Sequence, residues 1–240
     1  TEIDRQSIIT LNAESGPNKS YFGNLNMEAT TGGAITATAE NDSGSLIDVS
    51  PYAARAISNV EDTSKVIITG NLELGGKLDA NATHNNGHHY EIASHSFTVA
   101  GMNGLELDIQ KLQEISEVQL NGVNINAAGS ITFGATTSVG VNDDGTTAVR
   151  SSGYSAGVLS ANAATVKAQN IDIDNTINLQ NSEIHSKGSI NIIANTDGDM
   201  RLSNDVSNTS ILTMAAGATN KSNVAVDIDN KINVNNSIWY

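Results

Sequence analysis

Short bursts of alternating apolar and polar residues run through the chain and are clearest between Asn170 and Asn195. Isoleucine and leucine occupy every second position of each burst, as at Ile171 and Ile173. Alternation with a period of two predicts a β-strand with one buried face. Residues that favour turns, such as Asn181 and Gly188, lie between the bursts. The pattern therefore predicts short strands separated by corners.

A second, longer spacing of about 20 residues is superimposed on this alternation. It relates the apolar pairs Ile171/Ile173, Ile190/Ile192, Leu212/Met214 and Ile232/Val234. Three short strands in a turn of about 20 residues are typical of one coil of a parallel β-helix. We therefore predict an all-β solenoid whose coils stack and share one long core.

Residues 1–240 are expected to form a single β-helical unit with two unequal parts. Residues 121–240 keep the regular rhythm and predict regular coils. Residues 1–120 depart from it and predict irregular coils with protruding loops. The segment Leu105–Leu120 fits a short helix or a slack coil, and we favour the interpretation that its apolar stripe at Leu112, Ile115 and Val118 simply faces the core.

The polar stretch Asn81–Tyr90 is predicted to be one of these exposed loops. It carries His84, His88 and His89, with His95 nearby, and these imidazoles are candidate metal ligands. The chain has no cysteine, and no acidic third ligand is well placed in the local sequence. We therefore predict an exposed loop and no metal site.

Two acidic turns raise the separate question of calcium. They are Asn142–Gly145 and Asn195–Asp199. Neither has the spacing of an EF-hand loop, and the glycine-aspartate nonapeptides of calcium-binding β-rolls are absent. Independent turns are the simpler interpretation, and calcium binding stays open.

Composition and charge narrow the range of partners. Aromatic residues make up 4% of the chain, which suits a narrow core filled by aliphatic side chains. The formal net charge is −14, and the 12 Lys and Arg residues are scattered rather than clustered. Binding to nucleic acid or to an anionic membrane surface is therefore not expected. No apolar run approaches the roughly 18 residues that a membrane-spanning helix needs, so insertion by this segment is not expected either.

Two segments resemble the repeats of filamentous-haemagglutinin-type exoproteins. They are Ile125–Ile131 and Ile184–Ile190, and each ends in a Gly-Ser-Ile corner. The final residues Asn235–Trp239 are similar to the start of the autochaperone region in autotransporter passengers. The resemblance implies a right-handed β-helical passenger exported by type V secretion. It also implies a secreted or bacterial cell-surface location, with an outer-membrane anchor in a part outside this sequence.

The function that we expect is adhesion or self-association through the polar face of the rod, leading to attachment, aggregation or biofilm formation. The candidate binding residues are the outward-facing Asp172, Asp174, Asn178 and Asn191. Expected partners are host glycans, extracellular-matrix proteins or like molecules on other cells, bound by many weak contacts. No cofactor is expected.

Two alternatives belong to other functional classes. A phage tail fibre or tailspike shares the composition, but an intertwined trimer should be apolar on both strand faces. A polysaccharide-degrading enzyme needs two carboxylates that face one cleft. A coil of about 20 residues would stack Asp172 on Asn191 and Thr213, which supplies no such pair. We therefore predict a binding protein rather than an enzyme.

Overall fold

The computed structural model describes residues 1–14, 19–139, 147–198 and 200–240. These residues contain only β-strands and their connections, and all strand pairs are parallel in one continuous sheet. The all-β prediction is therefore confirmed. The strands are β1 (Glu2–Asn12), β2 (Ser20–Phe22), β3 (Leu25–Leu74), β4 (Leu78–Ala127), β5 (Ile131–Val139), β6 (Thr147–Gln180), β7 (Glu183–Ser186), β8 (Ile190–Gly198), β9 (Met200–Asn235) and β10 (Ile238–Trp239).

The chain is arranged as successive layers that pair in register. Leu25 pairs with Leu78, which pairs with Ile131, which in turn pairs with Ile190. Each of these residues begins a new layer. The layers comprise the described parts of residues 1–22, 25–74, 78–127, 131–186 and 190–240, which we call the first to fifth layers.

The pairing register gives the length of a layer directly. Asn126 stacks on Glu73 at a separation of 53 residues, and Asp172 stacks on Gln113 at a separation of 59 residues. The predicted short coil of three strands is therefore wrong. Three of the apolar pairs that suggested it are not stacked on one another, because each of them pairs with residues one full layer away; they are Ile171/Ile173, Ile190/Ile192 and Ile232/Val234.

One corner of the layer repeats with the same unusual backbone four times. It lies at Gly70, Gly122, Asn181 and Asn236, which follow register-matched residues and have φ values of 87°, 62°, 49° and 48°. A positive φ favours glycine and, after it, asparagine. Four of the five layers therefore have glycine or asparagine, which tolerate a positive φ, where the chain changes direction, as the sequence predicts for Asn181.

A second corner contains the Gly-Ser-Ile motif. The amide of Ile131 donates to the carbonyl of Ser189 at 2.9 Å, so the two copies of the motif stack directly on one another. A Cβ atom at Gly188 would lie 2.7 Å from the amide nitrogen of Ser130, so only glycine fits this close approach. The two motifs are thus equivalent positions of successive layers.

Two aliphatic clusters fill the interior. The first cluster includes Ile68, Leu72 and Phe133. The second cluster includes Ile35 and Leu107. In the fifth layer, the isoleucines that line up with the first cluster are only partly buried against it; they are Ile190 and Ile192.

Two predictions for residues 1–120 have different outcomes. Leu105–Leu120 is a strand with its alternate residues buried, so the core-facing interpretation is confirmed for Leu112 and Val118, whereas Ile115 lies on the outer face of the strand. Asn81–Tyr90 is not an exposed loop but part of β4. Its inward side chains are fully buried, and they include His84, Asn86 and His88. The prediction of a loop is wrong because it assumed that polar side chains must face solvent.

The positive-φ corner predicts a sharp contrast between two glycine substitutions. A Cβ atom at Gly70 would lie 2.2 Å from the carbonyl oxygen of Ala13, and the backbone there has a positive φ. We expect Gly70→Ala to lower the free energy of unfolding by about 1–3 kcal/mol, measured by urea denaturation. Gly23→Ala is the control, because no atom beyond its chain neighbours lies within 4 Å of the place that its methyl group would take. Equal midpoints for both variants would contradict the assigned corner.

Candidate functional site

The outer surface carries a groove where the stacking register is interrupted. In the third layer one residue is inserted, so that Ser58 pairs with Ile109 but Asn59 pairs with Lys111. The fourth and fifth layers break their pairing at the same level, just before Ile171. Such bulges locally disrupt the ladder and bend the strand. Here they are aligned, and they open a groove of about 490 Å³ across three layers.

The groove is lined by hydrogen-bond donors as well as hydrogen-bond acceptors. Lys111 contributes an ammonium, which also contacts Glu61 at 2.5 Å. Asp172 and Asp227 contribute carboxylates, and Gln113 Nε2 donates to Asp172 Oδ2 at 3.3 Å. Among the described residues that line the groove, none is aromatic. Further amide side chains in the lining are those of Gln169 and Asn170.

The four predicted binding residues do not form one site. Asp172 lines the groove, whereas Asp174 follows it on the same strand face and accepts a hydrogen bond from Thr176. Asn178 accepts a hydrogen bond from an asparagine of the next layer at 2.9 Å, which makes it part of a polar row along the stack. Asn191 is exposed on β8, on another side of the layer.

Stacked carboxylates occur at the true period, contrary to the expectation from a short coil. Asp172 pairs with Asp227, and Asp174 pairs with Asp229. Partners in adjacent strands are about 4.8 Å apart along the hydrogen-bonding direction. Like charges directly opposite each other are unfavourable in a sheet. The groove therefore holds a concentrated negative charge beside Lys111.

Sequence reasoning missed Lys111, Gln113 and Asp227 as groove residues. Asp227 lies one full layer after its partner Asp172, and a search at the shorter interval cannot find that pair. The sequence does contain a signal for this pair. The stretch Ile-Asp-Ile-Asp begins at Ile171, and the similar stretch Val-Asp-Ile-Asp begins at Val226.

A row of polar pairs crosses the interior between the two aliphatic clusters. The pairs occupy the same register positions in successive layers, and those of the second, third and fourth layers are buried. Because buried polar groups must be hydrogen-bonded, each pair fixes which residues face each other across the core. The pairs are Thr31–Ser64 at 3.1 Å, His84–Ser116 at 2.7 Å, Thr137–Asn175 at 2.8 Å and Thr196–Asn230 at 3.1 Å.

Buried charges lie next to these polar pairs. Arg5 of the first layer contacts Asp62 of the second at 2.5 Å. Asn86 Nδ2 donates to both Asp62 and Glu114, and His88 Nε2 lies 2.8 Å from Glu114 Oε1. The hydrogen bond to Asp62 and its negative charge raise the pKa of Arg5 despite partial burial. This network joins three layers through side chains alone.

Burial dominates the acid–base behaviour of two groups in this region. It lowers the pKa of His84 below the ordinary value of 6.5, although the carboxylates of Glu114 and Asp62 act in the opposite direction. Burial also raises the pKa of Tyr90 to about 12, so the phenol stays neutral near pH 7. Both shifts follow from the loss of water around the charged form.

The histidines of the polar stretch do not gather around one point. His84 and His88 are inside, and His89 and His95 lie outside at different places. His95 does meet two acidic side chains of the preceding layer, Glu40 and Asp42, which sequence reasoning did not connect with it.

The two acidic turns are described only in part. Asn142–Gly145 lies outside the described residues. Of the second turn, residues 195–198 end β8, and Asp199 lies outside the described residues.

Comparisons with protein-family models, curated proteins and solved structures find no match to this chain. Within the described residues, no helix has the length and apolar character needed to cross a membrane.

The lowered pKa of His84 predicts a loss of stability in mild acid. The unfolded chain binds a proton at His84 near pH 6.5, whereas the folded chain resists it. The contribution of His84 to the free energy of unfolding is therefore fully present above about pH 6.5. It falls as the pH drops below this value, by up to about 1.4 kcal/mol per pH unit. When the free energy of unfolding is measured with urea between pH 7.5 and 5 and plotted against pH, the plot should have a shallower slope for His84→Gln than for the parent chain. His185→Gln, at a more exposed site, is the control, and an unchanged slope in His84→Gln would contradict the assignment.

Proposed function

We propose that this chain is a rigid binding segment of a bacterial surface protein, an adhesin or self-associating passenger that attaches through its outer polar groove. In this proposal the layers form a right-handed solenoid that belongs to a secreted protein of the type V class. Its partners are glycans, matrix proteins or like molecules, and it uses no cofactor.

The groove across the aligned bulges is the observation that carries the proposal. Lys111, Gln113 and Asp172 offer a cation, an amide and a carboxylate along one side of a shallow channel. Hydroxyl groups both donate and accept hydrogen bonds, so a carbohydrate can satisfy this mixed set of groups. The absence of aromatic stacking among the described lining residues fits weak binding at one site.

Weak binding becomes useful when many copies act together. The parallel stack holds polar side chains in fixed rows, and Asn178 and Asn181 accept hydrogen bonds from asparagines of the next layer at 2.9 and 3.0 Å. Residues held in this way lose little freedom on binding. Several such surfaces on one cell add their contacts through multivalency.

Polysaccharide hydrolysis is the second candidate, and the stacked carboxylates favour it. Asp172 and Asp227 occupy adjacent layers in the groove, at the backbone spacing of neighbouring strands. Retaining glycosidases use carboxyl groups about 5–5.5 Å apart. The adhesin proposal is preferred because an open, shallow groove leaves these carboxylates in water, where they lack the electrostatic strength of an enclosed active site. A trimeric phage fibre is a further alternative, and sedimentation analysis of the purified chain distinguishes it.

Replacing the groove carboxylates should weaken glycan binding. We expect Asp172→Asn and Asp227→Asn each to reduce affinity by roughly tenfold, because a hydrogen bond to a charged group contributes about 1.5–3 kcal/mol. The measurement is binding to an immobilised panel of glycans and matrix proteins, followed by titration against the best ligand. Asp174→Asn is the matched control, since it has the same chemistry on the same strand but does not line the groove.

The outcomes separate the two candidates. Equal affinity for all three variants and the parent chain would contradict the groove as the binding surface. Release of reducing sugar by the parent chain, lost in both groove variants, would favour hydrolysis over adhesion.

A further inference from the structure

We propose that Glu40, Asp42 and His95 form a binding site for a divalent transition-metal ion, of which Zn²⁺ is the type. Each residue offers one ligand atom, and the three atoms all lie within 4.8 Å of one another. A ligand set of one imidazole nitrogen and two carboxylate oxygens suits the coordination chemistry of Zn²⁺. The site shares no residue with the groove, so a test of metal binding is independent of a test of the proposed function.

The stacking register brings the three residues together. Asp42 of the second layer is the direct pairing partner of His95 in the third layer. Glu40 precedes Asp42 by two positions and therefore lies on the same outward face of the strand. All three side chains are exposed, and His95 Nδ1 lies 3.0 Å from Asp42 Oδ1. A metal bound here would link two layers through side chains from both.

Two other pairs in the described structure show what distinguishes this site. His89 lies 3.1 Å from Glu91, and His185 lies 2.9 Å from Glu183. Both resemble the pair of His95 with Asp42 in chemistry and partial exposure. Neither has a third ligand within reach among the described residues, whereas His95 has a second carboxylate as well. Two ligands hold a metal poorly, and three reach the count that open zinc sites use.

The charge balance favours a cation at this place. Glu40 and Asp42 project from one strand face, and within the described residues neither forms an ion pair with lysine or arginine. A divalent ion would neutralise both carboxylates at once. Imidazole disfavours Ca²⁺ and Mg²⁺, which take oxygen ligands, and selects an ion of the Zn²⁺ class.

The neighbouring interior gives the metal a structural consequence. Around His95 the inward positions are the small polar residues Ser94, Ser96 and Thr98 rather than aliphatic side chains. Hydrophobic burial therefore contributes less to layer stacking here than in the two aliphatic clusters. A metal that joins Asp42 to His95 would hold these two layers together from outside, and a fourth coordination position would stay open to water or to a donor from a partner.

Metal binding by the untagged 240-residue chain tests the site. Equilibrium dialysis with ZnCl₂ at pH 7.5 should give one saturable ion per chain. His95→Ala should weaken binding by more than the roughly 10- to 100-fold that changes outside the first coordination sphere cause. Asp42→Asn and Glu40→Gln should each weaken it as well. Because all three positions are exposed, the variants should keep the circular dichroism spectrum of the parent chain.

His89→Ala and His185→Ala are the matched controls and should leave the affinity unchanged. Zn²⁺ should also raise the melting temperature of the parent chain and of both controls, but not that of His95→Ala. Absence of saturable binding, or binding that survives His95→Ala, would overturn the proposal. Loss of binding in either control variant would overturn it equally, because it would place the ion elsewhere.

Discussion

The main-chain hydrogen bonds between successive layers are the constraint on which the rest of this structure depends. Parallel pairing in register stacks each residue on its counterpart one full layer along the chain, so the side chain at one level determines what its neighbours can be. Aliphatic rows, polar pairs and the outer groove are all consequences of this alignment. A shift of one residue would turn every inward side chain outward.

The corner with positive φ keeps the alignment in place, because Gly70 and its three counterparts change the direction of the chain at the same level in four layers. The polar pairs add specificity, because Thr31, His84 and Thr137 each form a hydrogen bond with a polar side chain across the core of the same layer. Bulges absorb the differences in layer length on the outer side, and the groove arises where they coincide.

Much of this fold could be predicted from the sequence, but not its period. Alternation at Ile171 correctly indicates a buried strand face, and Asn181 correctly indicates a corner. Spacing along the chain does not distinguish the sides of one layer from successive layers, so the predicted coil was too short. The inward positions of His84 and His88 were missed because their partners lie 32 and 26 residues away and are visible only once the layer is closed. The groove and the acidic partners of His95 were missed for the same reason, since they come from neighbouring layers.

The layered architecture also determines how the molecule would respond to mechanical force. Among the described residues, the main chain of each layer pairs only with the layers directly above and below it, so a pull on one end of the chain would detach a whole layer before disturbing the next. A released layer of roughly 55 residues has a contour length of about 180–200 Å when fully extended. Extension would therefore proceed in large, nearly equal steps. The layers that are still stacked would keep their structure while the released chain became longer.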